Sequence, residues 1–183
     1  MNQKLLVIGC GGVASVAIQK CCQNSAQFPE LVLASRTKSK CDALIASMLG
    51  KTSTKLSSAQ VDADNLDEVV ELIRRVLPDA VLNVALPYQD LVIMEACLRC
   101  GVDYIDTANY EPESTEDPSW RALYEKRVEE EGFSAYFDYS YQWAYANKFE
   151  AAGLTALLGT GFDPGVTSVF VSYAKKHYFG PLS

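Results

Sequence analysis

Gly9, Gly11 and Ala14 stand in the run Lys4-Leu-Leu-Val-Ile-Gly-Cys-Gly-Gly-Val-Ala14, an apolar stretch that passes through glycines into a helix. That spacing suits a pyrophosphate. The first glycine permits a tight turn off a strand, the second lets backbone approach the phosphates, and a small third residue keeps the helix close to the sheet. Gly12 and Val13 complete the turn and offer unpaired N–H groups at the positive end of the helix dipole. A second group lies where the next strand ends, at Ser35-Arg36-Thr37-Lys38 with Lys40 following. A site for NAD usually places a carboxylate there, on the ribose hydroxyls. Hydroxyls, a guanidinium and ammonium groups instead suit a 2′-phosphate, and Arg36 can also stack on adenine. The expectation is NADP(H). The alternative is a helix start whose basic residues are merely exposed, which would leave both dinucleotides bound alike.

These groups need a scaffold that brings strand ends to one edge, and the chain alternates strand and helix patterns from start to finish. It reads as an α/β fold, a Rossmann-type doubly wound, mostly parallel sheet with helices on both faces. Strands are expected at residues 4–8, 30–34, 56–61, 80–85, 102–105 and 154–158. Helices are expected at 12–22, 37–48, 66–76, 91–100, 143–152 and 165–176. Asn65 or Asp64 would cap the third helix, and Asp163 would cap the last, with Pro164 in its first turn. Ligands of open α/β sheets bind beyond the carboxyl ends of the strands. Residues 9–13, 35–37, 62–63, 85–88, 106–110 and 159–165 should therefore meet in one cleft.

Residues 111–145 break the alternation with an acidic and aromatic stretch that includes Glu129, Glu130, Glu131, Trp120, Tyr139, Tyr141 and Trp143. It reads as an insertion with a helix near Ser119–Glu131. Its acidic aromatic face could attract a cationic amine; a solvated helix beside packed aromatics is the plainer reading and the favoured one.

With 183 residues, 49% of them hydrophobic, the chain can bury a proper core. Its formal net charge of −7 argues against nucleic acid and against anionic membrane, both of which need a basic footprint. A strand begins after three residues, without a signal-peptide pattern or a run of about 20 apolar residues, so a cytoplasmic location is expected. Six cysteines (Cys10, Cys21, Cys22, Cys41, Cys97, Cys100) read as free thiols. Cys97 and Cys100 form the sole C-x-x-C and His177 is the only histidine, so no metal site is expected.

Taken together, residues 33–43, 83–91, 106–111, 141–145 and Gly161-Phe-Asp-Pro-Gly-Val-Thr167 resemble the saccharopine dehydrogenase-like superfamily. Within it the likeness is closest to the carboxynorspermidine (carboxyspermidine) dehydrogenases, and it covers nearly the whole chain. The resemblance implies NADPH-dependent condensation of a diamine with aspartate β-semialdehyde through an imine. It implies that Gly9, Gly11, Gly12, Val13, Ser35, Arg36, Thr37 and Lys40 hold the cofactor, that Asp62 and Ala63 line its adenosine half, and that Asn83, Ala85, Leu86 and Pro87 line the nicotinamide side. Tyr88, Asn109, Tyr110 and Asp163 would face substrate, with Tyr88, Asn109 and Asp163 in the chemistry. Asp163 could stabilise an iminium while also capping its helix. The full-length form would be a homodimer.

Family members continue into a second domain that supplies much of the amine and carboxylate site. This chain is therefore expected to hold an NADP-binding domain at residues 1–160 and, at 161–183, the start of the connection to a missing substrate domain. Alone it would bind NADPH without turnover. Two other readings stay open, a saccharopine reductase-like oxidoreductase and a non-catalytic NADP-binding module. A short-chain dehydrogenase does not fit the glycine spacing and lacks a Tyr-x-x-x-Lys pair.

Overall fold

Strand β1 (Lys4–Ile8) is buried at every residue after Lys4, because it runs through the middle of a sheet that is covered on both faces. A computed structural model describes residues 4–111, 122, 125–126, 129–130 and 139–179. Around β1 the strands β2 (Glu30–Ser35), β3 (Lys55–Gln60), β4 (Ala80–Asn83), β5 (Asp103–Asp106) and β6 (Ala156–Leu157) form one sheet in the order β3-β2-β1-β4-β5-β6. Every pairing is parallel. This is the doubly wound Rossmann arrangement, and the order reverses between β1 and β4, where such sheets open a crevice.

Side-chain alternation divides the core into two. Leu5 and Val7 of β1 join Leu31 and Leu33 of β2 beneath α1 (Gly12–Gln23) and α2 (Lys38–Met48), meeting Ala14, Ile18 and Cys41. Leu6 and Ile8 face the other way, onto α3 (Leu66–Val76) and α4 (Asp90–Cys100), where Val69, Ile73, Ile93 and Met94 pack. Ala14 is wholly buried, as expected for the small residue that seats the first helix. Asn65 caps α3, its Oδ1 accepting from the backbone N–H of Asp67 and Glu68 at 3.1 and 3.3 Å.

Several boundaries differ from expectation for local reasons. β4 stops at Asn83 instead of Ala85, because the Asn83 Oδ1 accepts from the Ala85 N–H at 3.0 Å and bends the chain off the sheet. A 3₁₀ turn at Pro87–Gln89 precedes α4. The helix expected at 143–152 is two pieces, α5 (Ser140–Trp143) and α6 (Ala146–Ala151), and Phe149 of α6 enters the core. The helix expected near Ser119–Glu131 is helical at 122, 125–126 and 129–130; its remaining residues, Glu131 and Trp120 among them, lie outside the described residues.

The final helix α7 (Val166–His177) has Gly165 at its N-cap, so Asp163 is not the cap and Pro164 lies before the first turn. Asp163 instead accepts from the Thr167 hydroxyl at 2.9 Å, one turn onward. No residue of α7 is buried, and Val169, Phe170, Val171 and Tyr173 are exposed. Among the described residues no helix is long and apolar enough to cross a membrane.

Candidate cofactor site

The glycine turn is shaped by what lies behind it. Gly9 has φ +116, and a Cβ there would strike the Val84 carbonyl, with the Val84 carbon at 2.6 Å and the Ala85 nitrogen at 2.8 Å. Its N–H donates to the Ala34 carbonyl at 2.8 Å, tying the turn to the end of β2. Gly11 is the opposite case. Its φ of −91 suits any residue, and a Cβ would meet nothing within 4 Å. What glycine keeps there is open space above the turn. Gly11 is also the N-cap of α1, which has no side-chain cap and no acid in its first turn. Gly12 and Val13 are exposed at that same end. Open N–H groups, the dipole and the clear approach together fit a pyrophosphate.

The turn forms one wall of a cleft of about 270 Å³ at the carboxyl ends of β1 to β4. Ile8, Gly9, Cys10, Gly11, Ser35, Arg36, Thr37, Lys40, Val61, Ala63, Val84, Ala85, Leu86 and Gln89 line it. Nine of the residues expected to hold a cofactor are in that lining: Gly9, Gly11, Ser35, Arg36, Thr37, Lys40, Ala63, Ala85 and Leu86. Arg36 lies 3.5 Å from Asp64, both side chains being largely exposed, and Lys38 is turned away onto Asp42 at 2.9 Å. An exposed ion pair of this kind contributes about 0.2–1 kcal/mol, less than the roughly 1.5–3 kcal/mol of a hydrogen bond to a charged group. The pair is therefore weak enough to yield to a better-bonded anion.

Gln89 was not foreseen. It is buried, its Nε2 donates to Asp64 Oδ1 at 2.6 Å, and its Oε1 accepts from the Leu86 N–H at 3.3 Å. It links the loop after β4 to the loop after β3 across the cleft. Asp62 lies beside the lining; its Oδ1 accepts from the Asp64 N–H at 3.2 Å, and its own N–H donates to Glu68. The sequence signal for Gln89 was its place between Pro87 and the helix start, where a polar side chain can reach back to free amides.

Asn83, expected on the nicotinamide side, is not in the cleft lining. It is 2% exposed and lies under the cleft, donating from Nδ2 to Asp90 Oδ1 at 2.7 Å and to the Tyr104 hydroxyl at 3.0 Å. It shapes the wall through Ala85, from whose N–H it accepts. Asn109 is 4% exposed, and its Nδ2 donates to the Tyr110 carbonyl at 3.3 Å. Pro87 opens the 3₁₀ turn, and Tyr88 is half-buried in it, outside the cleft lining. Tyr110 is half-buried against Tyr141, ring centroids 5.1 Å apart, and Asp163 is exposed on the loop before α7.

Beneath these residues lies a buried polar cluster. Gln142 of α5 donates to Asp106 Oδ2 at 2.9 Å, to the Ala108 carbonyl at 3.2 Å and to Asp90 Oδ2 at 3.4 Å, while its Oε1 accepts from the Tyr110 N–H at 3.0 Å. Asp106 also accepts from the Gly159 N–H at 2.6 Å. The loops at 106–110 and 159–165 are thereby joined, and a Cβ on Gly161 would lie 2.5 Å from the Thr107 carbonyl oxygen. They do not extend the lining of the cleft, so convergence of all six strand ends on a single cleft holds only for its cofactor half. Burial, with the Asp106 charge beside it, pushes Asp90 up to about 8. Burial pushes Asp106 up to about 6 against the pull of the Gly159 N–H, Gln142 and Tyr104. Through these bonds the two carboxylates brace the loops around them. Among the described residues no group of three or more His, Cys, Asp or Glu is placed to hold a metal ion.

The sequence model of the family described as the saccharopine dehydrogenase NADP-binding domain matches residues 5–157. A carboxyaminopropylagmatine dehydrogenase of Synechocystis sp. is 48% identical over 179 residues, which cover 98% of this chain and 39% of that protein. A carboxynorspermidine synthase of Vibrio alginolyticus is 39% identical over 183 residues, covering 97% of this chain and 41% of that protein. The chain thus spans about two fifths of the length of these curated relatives. Among solved structures, apo saccharopine dehydrogenase (L-Glu forming) of Saccharomyces cerevisiae aligns with a TM-score of 0.59 at 17% identity, covering 94% of this chain and 30% of that one. That likeness is one of fold.

Proposed function

The chain belongs to the saccharopine dehydrogenase NADP-binding domain family, and from that membership we propose that it is the cofactor-binding part of an oxidoreductase that reduces an imine with NADPH. The imine forms, with loss of water, between the primary amine of one substrate and the aldehyde of aspartate β-semialdehyde. Reduction leaves a secondary amine that carries an amino-acid group. The sequence resemblance points to a diamine as the amine. The names of the relatives add agmatine, and the higher identity to the agmatine-named relative favours it.

The observation that carries this reading is the cleft itself, with an uncapped helix end and open Gly11 at one side and Ser35, Arg36, Thr37 and Lys40 at the other. Gly9, Gly11, Gly12 and Val13 would hold the pyrophosphate, and Arg36 with its neighbours the 2′-phosphate. Ala63 and Asp62 would border the adenosine, and Ala85, Leu86 and Pro87 the nicotinamide. When bound, NADPH supplies the hydride. The chain's own part is to fix that donor at the edge of the sheet, which removes much of the orientational cost of the reaction. Tyr88 and Tyr110 would border the substrate, and the Asp163 carboxylate would stabilise positive charge on the protonated imine.

In this reading residues 1–160 are the cofactor domain and 161–183 lead toward further polypeptide. The exposed apolar side chains of α7 support packing by such a segment or by a second subunit of a homodimer. The test is NADPH consumption by a polypeptide extended to the length of the relatives, given aspartate β-semialdehyde with agmatine or with a short diamine. Turnover with one amine, lowered by Asp163→Asn without loss of NADPH affinity, is the expected result. NADPH binding with no turnover on either amine would overturn the reaction while leaving the cofactor site standing.

A further inference from the structure

The residue between Gly9 and Gly11 is a cysteine, and it is not alone. Cys10 lines the cleft, and its Sγ lies 2.7 Å from the Sγ of Cys41, a wholly buried residue in the first half of α2. The Cys41 thiol is in turn 3.3 Å from the Ser35 hydroxyl. One sulfur is open to the cleft and the other sits behind it, at the seam between the glycine turn and the Ser35–Lys40 segment. Both are free thiols, and closing them to a disulfide bond of about 2.05 Å needs an approach of only about 0.7 Å.

We propose that Cys10 and Cys41 are a redox-sensitive pair whose oxidation to a disulfide weakens dinucleotide binding at this cleft. With hydrogen peroxide as oxidant, the Cys10 thiolate attacks one peroxide oxygen, breaking the O–O bond to give a sulfenic acid and hydroxide, which takes up the proton Cys10 gave and leaves as water. The Cys41 thiolate then attacks the Cys10 sulfur, forming the S–S bond and expelling hydroxide, which takes up the proton Cys41 gave and leaves as a second water. Two thiols and one peroxide thus become one disulfide and two waters.

The geometry assigns the roles. Cys10 is the half-buried residue at the cleft, the one on which an oxidant would act, and Cys41 is buried against it to resolve the sulfenic acid before further oxidation. Burial and the bond to Cys41 raise the Cys10 thiol above its ordinary range, while Ser35 and Lys40 pull it back. A thiol raised in this way presents little thiolate at neutral pH, so its reaction with peroxide is slow and the pair answers to sustained oxidant. Closure draws the turn toward α2, moving the Gly9 to Gly11 backbone relative to Arg36, the two ends between which a dinucleotide would be stretched. Linkage requires the converse, that bound NADPH resists closure.

This inference rests on the cofactor reading, and its test separates the two. The 183-residue chain is treated with hydrogen peroxide with and without NADPH, digested, and mapped by mass spectrometry after alkylation of free thiols. NADPH affinity is measured by calorimetry before oxidation, after it, and after dithiothreitol. The expected result is a Cys10–Cys41 linked peptide, slower to form with NADPH present, and NADPH affinity lower by about tenfold or more, restored by dithiothreitol. Cys41→Ser should leave Cys10 as a sulfenic acid that dimedone traps; Cys41→Ala serves if the serine variant folds poorly. Absence of the linked peptide overturns the pair whatever NADPH does. A linked peptide with unchanged NADPH affinity overturns the switch. Reduced protein that binds no NADPH overturns the cofactor reading and the switch with it, while the peptide map still decides the pair.

Discussion

Alanine at Gly9 and alanine at Gly11 should fail in opposite ways, although the two glycines are two residues apart in one turn. At Gly9 the new Cβ meets the Val84 carbonyl group, with the carbon at 2.6 Å, and the backbone has φ +116. Left-handed backbone costs a residue with a Cβ about 1–2 kcal/mol, and an overlap that neighbouring backbone must relieve costs about 1–3 kcal/mol. The smaller entropy of the unfolded alanine chain returns only about 0.4–1 kcal/mol. Gly9→Ala should therefore destabilise the fold by about 2–4 kcal/mol, a large part of a typical domain's stability of about 5–15 kcal/mol. At Gly11 the backbone is ordinary and the Cβ meets nothing, so Gly11→Ala should unfold within about 1 kcal/mol of the parent. It should nonetheless lose NADPH affinity by about tenfold or more, because the Cβ occupies the approach a pyrophosphate needs. Urea unfolding followed by circular dichroism measures the first effect, and calorimetric titration with NADPH the second. A Gly9→Ala protein as stable as its parent would refute the packing argument. A Gly11→Ala protein that binds NADPH normally would refute the placing of the pyrophosphate.

Two further changes probe the edges of the site. Asp64→Asn keeps an oxygen for Gln89 but removes the charge 3.5 Å from Arg36, so NADPH should bind about 1.5- to 5-fold tighter with NADH unchanged; weaker NADPH binding would show that Asp64 helps hold the cofactor. Asp90 has a folded pKa near 8, far above its ordinary 3.8, so the folded protein keeps a proton that the unfolded chain releases. Its contribution to stability is whole below about pH 4 and is lost as pH rises through about 8, at up to about 1.4 kcal/mol per pH unit. Asp106, raised to about 6, adds the same sign between about pH 4 and 6. Melting temperatures from pH 5 to 8.5 should fall more steeply for the parent than for Asp90→Asn, and parallel curves would contradict the assignment.

The sheet was readable because β1, β2 and β4 are apolar runs alternating with helices, and the order of β and α patterns admits few topologies. The cofactor side was readable for a related reason: glycine spacing and the basic strand end encode backbone shape and charge, which hardly depend on distant residues. The substrate side was less so. Asn83 and Asn109 stand at strand ends, where polar side chains often meet ligands, and the structure places Asn83 on the face of Val81, which packs beneath α4. The strand alternation carried that information. Nothing comparable marked Gln142, whose role depends on Asp106 and Asp90, dozens of residues away, nor the break between α5 and α6, which has no glycine or proline. The thiol pair was also hidden, since residues 10 and 41 meet only once β1 and β2 pair and α2 folds back over them.

The central claim is that the cleft between the glycine turn and Arg36 binds NADP(H) through its 2′-phosphate. Calorimetric titration of the reduced chain with NADPH and NADH, repeated on Arg36→Ala, tests it most directly. NADPH should bind about ten- to a hundredfold tighter than NADH, and Arg36→Ala should remove that margin while leaving NADH affinity nearly as it was. Equal binding of the two dinucleotides by the parent, or a preference that survives loss of Arg36, would contradict it.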